Sequence, residues 1–401
     1  MVCRNGRTGR VLLPHLNRVL SEYDALCVDL GSELACFRHE LASTLLAASR
    51  FSHAQWKLEA VSRTRKLLED DDDPFLKAWL AYRESSIMRM SGLSQESEHV
   101  LQTFLRQSAT SDYEKSHTTA SFNAQRGNLI ISFAENLIRE GNLTGAKEEL
   151  VEWKSLGTEY STLERIVSRA RDITLGKVLR YQGLFREAFD LLEGVLQDSL
   201  FDDYFEGTDW YRVLLSGVAD LHCEIGQPDD SKNLIMQELT PMKKNGTQDI
   251  ATGRRLQMSL AEAYLQRNMY SEAESLLLDV HRAVLSSGTP DYKAQVNIFR
   301  IWVSLARISH KKSHWEDALS RWRDALSVLD HLKMNKGFNA GIVRCSIAHV
   351  LMMTGNKSEC ADILQEARTN MASESRIFWI PLFNSQWHDF IVDSLKHVNV
   401  S

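Results

Sequence analysis

Residues 175 to 196 read LGKVLRYQGLFREAFDLLEGVL. Leu175, Gly176 and Leu179 share one face of a helix. Gly183 stands where a turn needs a residue tolerant of positive φ, and Ala188, Leu192 and Val195 follow at the i, i+4, i+7 spacing of a second helix. The stretch is therefore a helix, a tight turn and a helix, with small residues at Gly176 and Ala188 where the two helices are expected to cross.

The same frame recurs along the chain. LAEAYLQRNMYSEAESLLLDV places Leu260, Ala261 and Tyr264 before a turn at Asn268, then Ala273, Leu277 and Val280. Trp302, Leu305 and Ala306 precede Ser313, with Ala318, Trp322 and Ala325 after it. Ile347, Ala348 and Leu351 precede Gly355, with Cys360, Leu364 and Ala367 after it. FAENLIREGNLTGAKEELVEW gives Phe133, Ala134, Leu137, Gly141, Ala146, Leu150 and Trp153; looser copies surround Gly226 and Gly92. The turns fall at 92, 141, 183, 226, 268, 313 and 355, in successive steps of 49, 42, 43, 42, 45 and 42. A steady period over most of a chain is the mark of a solenoid, in which each pair buries too little apolar surface alone and stacking supplies a continuous core.

Helix-period patterns dominate and only six prolines occur, so the expected fold class is all-α. W-x-x-L-A at 302 to 306, and L-G-x-x-L with the following glycine and alanine at 175 to 195, resemble the tetratricopeptide (TPR) signature over roughly residues 75–370. The resemblance implies a TPR-like right-handed superhelical solenoid of antiparallel helix pairs. The period departs from the family's usual 34 residues; a period near 42 resembles the repeats of kinesin light chains and the C-terminal arrays of signal-transducing NTPases. No G-x-x-x-x-G-K-[ST] phosphate loop is present, so no NTPase domain is expected in this chain.

Outside the array, residues 1–10 read as a flexible basic tail. The absence of acids before Glu22 also suits a presequence. Residues 11–74 read as two or three helices, a degenerate repeat with a turn near Phe51, and residues 371–401 as a capping helix and tail, with Trp379 and Trp387 around Pro381. Six cysteines without a C-x-x-C pair read as reduced thiols, with no metal or other cofactor expected. A net charge of −6 argues against a nucleic-acid partner, and no apolar run reaches membrane-spanning length. The expected location is cytoplasmic.

Motifs that carry chemistry are few. Glu69, Asp70 and Asp73 approach the aspartate-rich motif of prenyl-diphosphate enzymes, but Pro74 interrupts the helix and no second metal motif follows, so a solvated acidic loop is expected. His310 and His314 lie four apart, yet His314 falls in a turn. His388 and Asp389 are neighbours, which on a helix point apart.

The expected functional surface is the concave face, reached by first-helix residues away from the packing seam: Lys177, Arg180, Asp220, Arg255, Met258, Glu262, Arg300, Arg307, His310, His349 and Met352. Its arginines suit acidic groups on a bound peptide or protein. The expected function is a non-enzymatic scaffold or adaptor, with bacterial TPR receptors for signalling peptides as an intermediate case by resemblance. The alternatives are a small-molecule-binding or catalytic solenoid, favoured by a deep apolar pocket, and the sensor array of a larger NTPase-linked regulator.

Overall fold

The computed structural model describes residues 6–30, 37–50, 54–69, 73–108, 119–156, 161–286, 292–372 and 385–396. Every regular element among them is a helix. Contacts divide the chain into two compact units, Met1–Arg171 and Asp172–Ser401.

The first unit opens with α1 (Gly6–Leu30), α2 (Arg38–Ala48) and α3 (Ala54–Leu67). α1 starts inside the stretch expected to be a tail; Arg7, Thr8 and Arg10 are all compatible with a helix that Val11 continues. Leu20 of α1, Leu41 and Leu45 of α2 and Ala60 of α3 share one apolar cluster. A second joins Ala42, Leu46 and Val61 to Leu76, Leu80 and Ile87 of α4 (Pro74–Met90). The expected turn at Phe51, Asp70 of the acidic run, and Trp379 with Pro381 lie outside the described residues. Asp73 is an N-cap: its Oδ1 accepts from the amides of Phe75 at 2.8 Å and Leu76 at 3.1 Å, with Pro74 in the first turn. That is the favoured arrangement for starting a helix. α5 (Ser94–Ser108), α6 (Ala120–Arg139) and α7 (Leu143–Glu152) follow, and α4 packs on both α5 and α6.

α8 (Thr162–Tyr181) leads into the second unit. There α9 (Phe185–Ser199), the short α10 (Asp203–Glu206), α11 (Asp209–Glu224), α12 (Pro228–Lys244), α13 (Ala251–Gln266) and α14 (Tyr270–Leu285) are followed by α15 (Tyr292–Lys311), α16 (Trp315–His331), α17 (Phe338–Met353), α18 (Lys357–Ala372) and α19 (Ser385–Leu395). The helix pairs are α4/α5, α6/α7, α8/α9, α11/α12, α13/α14, α15/α16 and α17/α18.

The seven expected turn residues all have positive φ: 86° at Gly92, 84° at Gly141, 80° at Gly183 and Gly226, 60° at Asn268, 58° at Ser313 and 81° at Gly355. At each, the next amide reaches back to a carbonyl five residues earlier. Leu184 N to Leu179 O at 3.0 Å and Gln227 N to His222 O at 2.7 Å are two of the seven bonds. This is the 6→1 bond of a Schellman cap, which satisfies a carbonyl that the helix end would otherwise leave unpaired.

Second-helix seam residues are buried as their spacing implies: Ala188, Leu192 and Val195; Ala273, Leu277 and Val280; Ala318, Trp322 and Ala325. Gly176, however, opposes Leu192 rather than Ala188; a Cβ on Gly176 would stand 2.5 Å from Leu192 Cδ2 and 2.7 Å from its Cγ. Gly194, on the exposed side of α9, has nothing within 4 Å of its missing Cβ. The two glycines should respond oppositely to alanine in urea unfolding. Gly194→Ala gains about 0.5–1 kcal/mol from helix propensity. Gly176→Ala gains the same but forces Leu192 aside, an overpacking that costs about 1–3 kcal/mol, and comes out net destabilising. Equal shifts for both variants would refute the close approach at Gly176.

Candidate functional site

Counted back from each turn residue, the inner-face positions fall at −13, −10, −6 and −3, a single helical stripe on each first helix. In the second unit the structure brings these stripes together and pairs their charges with one another. Asp220 of α11 accepts from Arg180 Nη1 of α8 at 3.4 Å and from Arg300 Nη2 of α15 at 3.0 Å. Arg300 thus reaches past α13 to a carboxylate two pairs away, and on its way lies 3.4 Å from Ser259 Oγ. Ser259 and Ser216 share a hydrogen bond of 2.9 Å, and Arg255 Nε donates to Ser216 Oγ at 3.1 Å. One step on, Arg307 grips Glu262 with both terminal nitrogens, at 2.8 and 3.1 Å. Both residues of that pair are buried, as are Arg180, Asp220 and Arg300.

The five charged side chains of these two ion-pair groups are buried against one another. Stripes on neighbouring first helices converge, so Arg180, Asp220, Glu262, Arg300 and Arg307 meet charged partners from other pairs, while half-buried Arg255 meets the Ser216 hydroxyl. Met258 is buried as well, Lys177 and Met352 are half-buried, and Lys177 Nζ stands 5.7 Å from the centroid of Tyr181.

At the C-terminal end of the face, His310 of α15 and His349 of α17 stack with centroids 4.9 Å apart, and His310 Nε2 lies 2.9 Å from His349 Nδ1. Trp322 Nε1, a donor only, points at His310 Nδ1 at 3.4 Å. That assigns the His310 proton to Nε2, which donates to His349. The two imidazoles therefore satisfy each other instead of presenting a shared pair of lone pairs to a metal. Among the described residues no three His, Cys, Asp or Glu side chains gather in a metal-binding group.

Against this face lies α19. Its Trp387 is buried, stacks on Trp322 at 5.8 Å and donates to Ser346 Oγ of α17 at 3.2 Å. The Arg307 guanidinium sits 5.6 Å from the Trp387 ring, and Lys311 Nζ 4.4 Å from that of Phe390. At the helix start, Ser385 N donates to Glu224 Oε2 of α11 at 3.2 Å. α19 thus touches the first helices of three pairs, α15 and α17 through an aromatic ridge and α11 through Ser385. His388 Nδ1 lies 2.8 Å from Asp389 Oδ1, so these two neighbours do meet; the bond is short enough to form across adjacent positions without shared helix facing.

Burial sets the protonation states. Desolvation, with His349 and Lys311 beside it, holds the His310 imidazole down to about 3, and burial also lowers His349. Desolvation pushes the Glu224 carboxyl up to about 8, against the opposing pull of the Ser385 amide and Arg180. A histidine held below 6.5 contributes stability that is complete above that value and is lost as pH falls toward 3. A carboxyl held above 4.5 contributes stability that is complete below that value and is lost as pH rises toward 8. Between 4.5 and 6.5 the two groups oppose each other.

Several residues of the face escape a reading by stripe alone. Ser259, Ser304 and Ser346 all stand nine before their turns, a recurring small polar position that the repeat frame contains and that the apolar pattern hides. Glu224 and Lys311 lie off the stripe and join the site because α19 covers them, and Trp322 joins it through both His310 and Trp387. A surface depression between α13 and α14, lined by Leu260, Tyr264 and Asp279 among others, shares no residue with the inner face. No described helix is long and apolar enough to cross a membrane.

No protein-family model matches the sequence, and no curated protein matches it. Among solved structures the chain is similar to NprR in complex with its cognate peptide NprX, with a TM-score of 0.53 and 14% identity over 79% of this chain and 83% of that one. It is similar to a Rap protein complexed with Competence and Sporulation Factor, with a TM-score of 0.55 and 12% identity over 78% and 80%. It is also similar to the apo form of the quorum sensor NprR from B. thuringiensis, with a TM-score of 0.51 and 15% identity over 80% and 81%. At these identities the likeness is one of fold: the chain is a TPR-like helical-repeat protein, a solenoid of antiparallel helix pairs.

Proposed function

We propose that the chain is a peptide-binding adaptor of the cytoplasm that takes a partner segment on the inner face of α8, α11, α13, α15 and α17. The observation that carries this reading is α19: an amphipathic helix of the chain's own, seated on that face through Trp387 and Phe390. A surface that accepts one helix by aromatic insertion and cation–π contact has the chemistry to accept another. Two of the similar folds were solved as complexes, NprR with its cognate peptide NprX and Rap with Competence and Sporulation Factor, which supports the same use of the fold here.

The test is a screen of the full chain against a library of 8–20-residue peptides by fluorescence anisotropy, followed by hydrogen exchange of each complex. Binding at micromolar affinity, with added protection confined to the inner-face helices, is the expected result. Failure to bind any peptide, or protection confined to the outer helices α9, α12, α14, α16 and α18, would overturn the proposal.

A further inference from the structure

The charges around Asp220 do not balance. Three guanidinium groups, from Arg180, Arg255 and Arg300, surround one carboxylate. The neighbouring Glu262 is taken by Arg307 in a two-pronged bond, and desolvation pushes the Glu224 carboxyl up to about 8. Arg180 and Arg300 share that one carboxylate, and Arg255 has no carboxylate in ion-pair contact among the described residues.

The hydrogen-bonding pattern agrees. Arg300 is 5% exposed, and its Nε is buried without a hydrogen-bond partner. Among the described residues Arg255 donates only to the Ser216 hydroxyl, a neutral acceptor, and burial lowers its guanidinium below the ordinary value, with Arg300 and Arg180 adding repulsion. Buried cations are ordinarily paired, because an uncompensated one keeps most of its desolvation penalty. An arrangement that gathers three such groups, and leaves the buried Arg300 Nε–H aimed at no acceptor, is complementary to an oxyanion that is not part of the chain. Asp220 shows which anion fits: a planar carboxylate already bridges two of the three arginines from one side. Arg255, half-buried, is the member a ligand meets first.

We infer that Arg180, Arg255 and Arg300 form a carboxylate-receiving subsite on the inner face, which holds an acidic side chain or the C-terminal carboxylate of the bound peptide. The inference rests on the peptide-binding reading and names the group that reading selects. An incoming carboxylate takes hydrogen bonds from Arg255 and from the unused Arg300 Nε, and supplies Arg255 with the counter-charge it lacks. Affinity should therefore depend steeply on that one negative charge, while the rest of the peptide contributes through the aromatic end of the face.

The experiment measures three versions of one library peptide: an Asp or Glu at the best position with an amidated end, the matching Asn or Gln with an amidated end, and the neutral sequence with a free C-terminus. The wild-type chain should prefer a carboxylate-bearing version by about tenfold or more; which version is preferred tells the side chain from the terminus. Arg255→Gln should abolish that preference, bringing the carboxylate-bearing versions down to the affinity of the neutral, amidated one. It should also keep or raise the thermal midpoint, since it removes an uncompensated charge; a purely structural arginine would lower it.

N-acetylglutamate supplies a peptide-independent arm: it should raise the thermal midpoint of the wild type and not of Arg255→Gln. Peptide binding with no preference for a carboxylate, or a preference that survives Arg255→Gln, overturns the subsite and leaves the peptide-binding proposal standing. No peptide binding and no response to N-acetylglutamate sinks both.

Discussion

Glu262→Gln destabilises the helices around it by about 3–5 kcal/mol, the cost of removing one partner from a buried ion pair. The pair is two-pronged, at 2.8 and 3.1 Å, with side chains 3% and 1% exposed. An amide at position 262 keeps the shape but removes the charge that compensates Arg307. It also turns a donor toward a guanidinium that has only donors to offer. The loss is local, because a solenoid couples each pair chiefly to its neighbours. Hydrogen exchange should therefore show amides of α13 to α16 opening more readily, with α4 to α7 unchanged.

The control is Glu262→Leu with Arg307→Met. Replacing both partners by apolar groups of similar volume is close to neutral in general. Here a residual loss of about 0.5–2 kcal/mol is expected, since Arg307 also stands over the Trp387 ring. If the double variant is as unstable as Glu262→Gln, the single variant's effect was lost packing and not an orphaned charge.

How far the fold was legible follows from what kind of constraint each feature carries. The turn at Gly183 is legible because left-handed backbone selects glycine chemically. Asn268 and Ser313 occupy the same conformation without that chemical mark, and only the period reveals them. The stripe of inner-face residues is legible for a related reason: helix geometry fixes which side chains share a face.

What those side chains do there is another matter. Arg300 and Asp220 are 80 positions apart and meet only because the first helices converge, and no spacing rule within one repeat encodes the angle at which successive pairs stack. Gly176 illustrates the same limit at short range: the need for a small residue is visible, its opposite number is not, and Leu192 takes the place expected of Ala188. The position of α19 was least legible of all. An amphipathic helix after the last repeat reads equally well as a cap on the final pair or as an occupant of the inner face. The difference lies in contacts such as Ser385 with Glu224, 161 positions away.

That position leads to the second large effect. Trp387→Ala removes a side chain 2% exposed, its stack on Trp322, its bond to Ser346 and its contact with Arg307. Truncating a buried tryptophan costs about 3–5 kcal/mol. α19 is a single helix of 11 residues near the end of the chain. It is too short to hold its own structure in water, so the cheapest response to the loss is release of the helix and not collapse of the pairs beneath it. Amides of α19 should exchange at nearly unprotected rates, those of α11 to α14 should keep their protection, and Trp322 fluorescence should shift as its ring is uncovered.

Release of α19 also vacates the face proposed for peptides. A helix held in place by about 3 kcal/mol leaves the face open in under about 1% of molecules, and apparent affinity falls by that fraction. Trp387→Ala should therefore tighten binding of any peptide that needs the α19 position by about 100-fold. Acidification of the wild type should move the same way below pH 4.5. There His310, held at about 3, still costs the fold stability as pH falls, while Glu224 no longer opposes it. Unchanged α19 protection in Trp387→Ala would show that the ridge does not hold the helix. Release of α19 with no gain in peptide affinity would show that peptide and helix use different parts of the face.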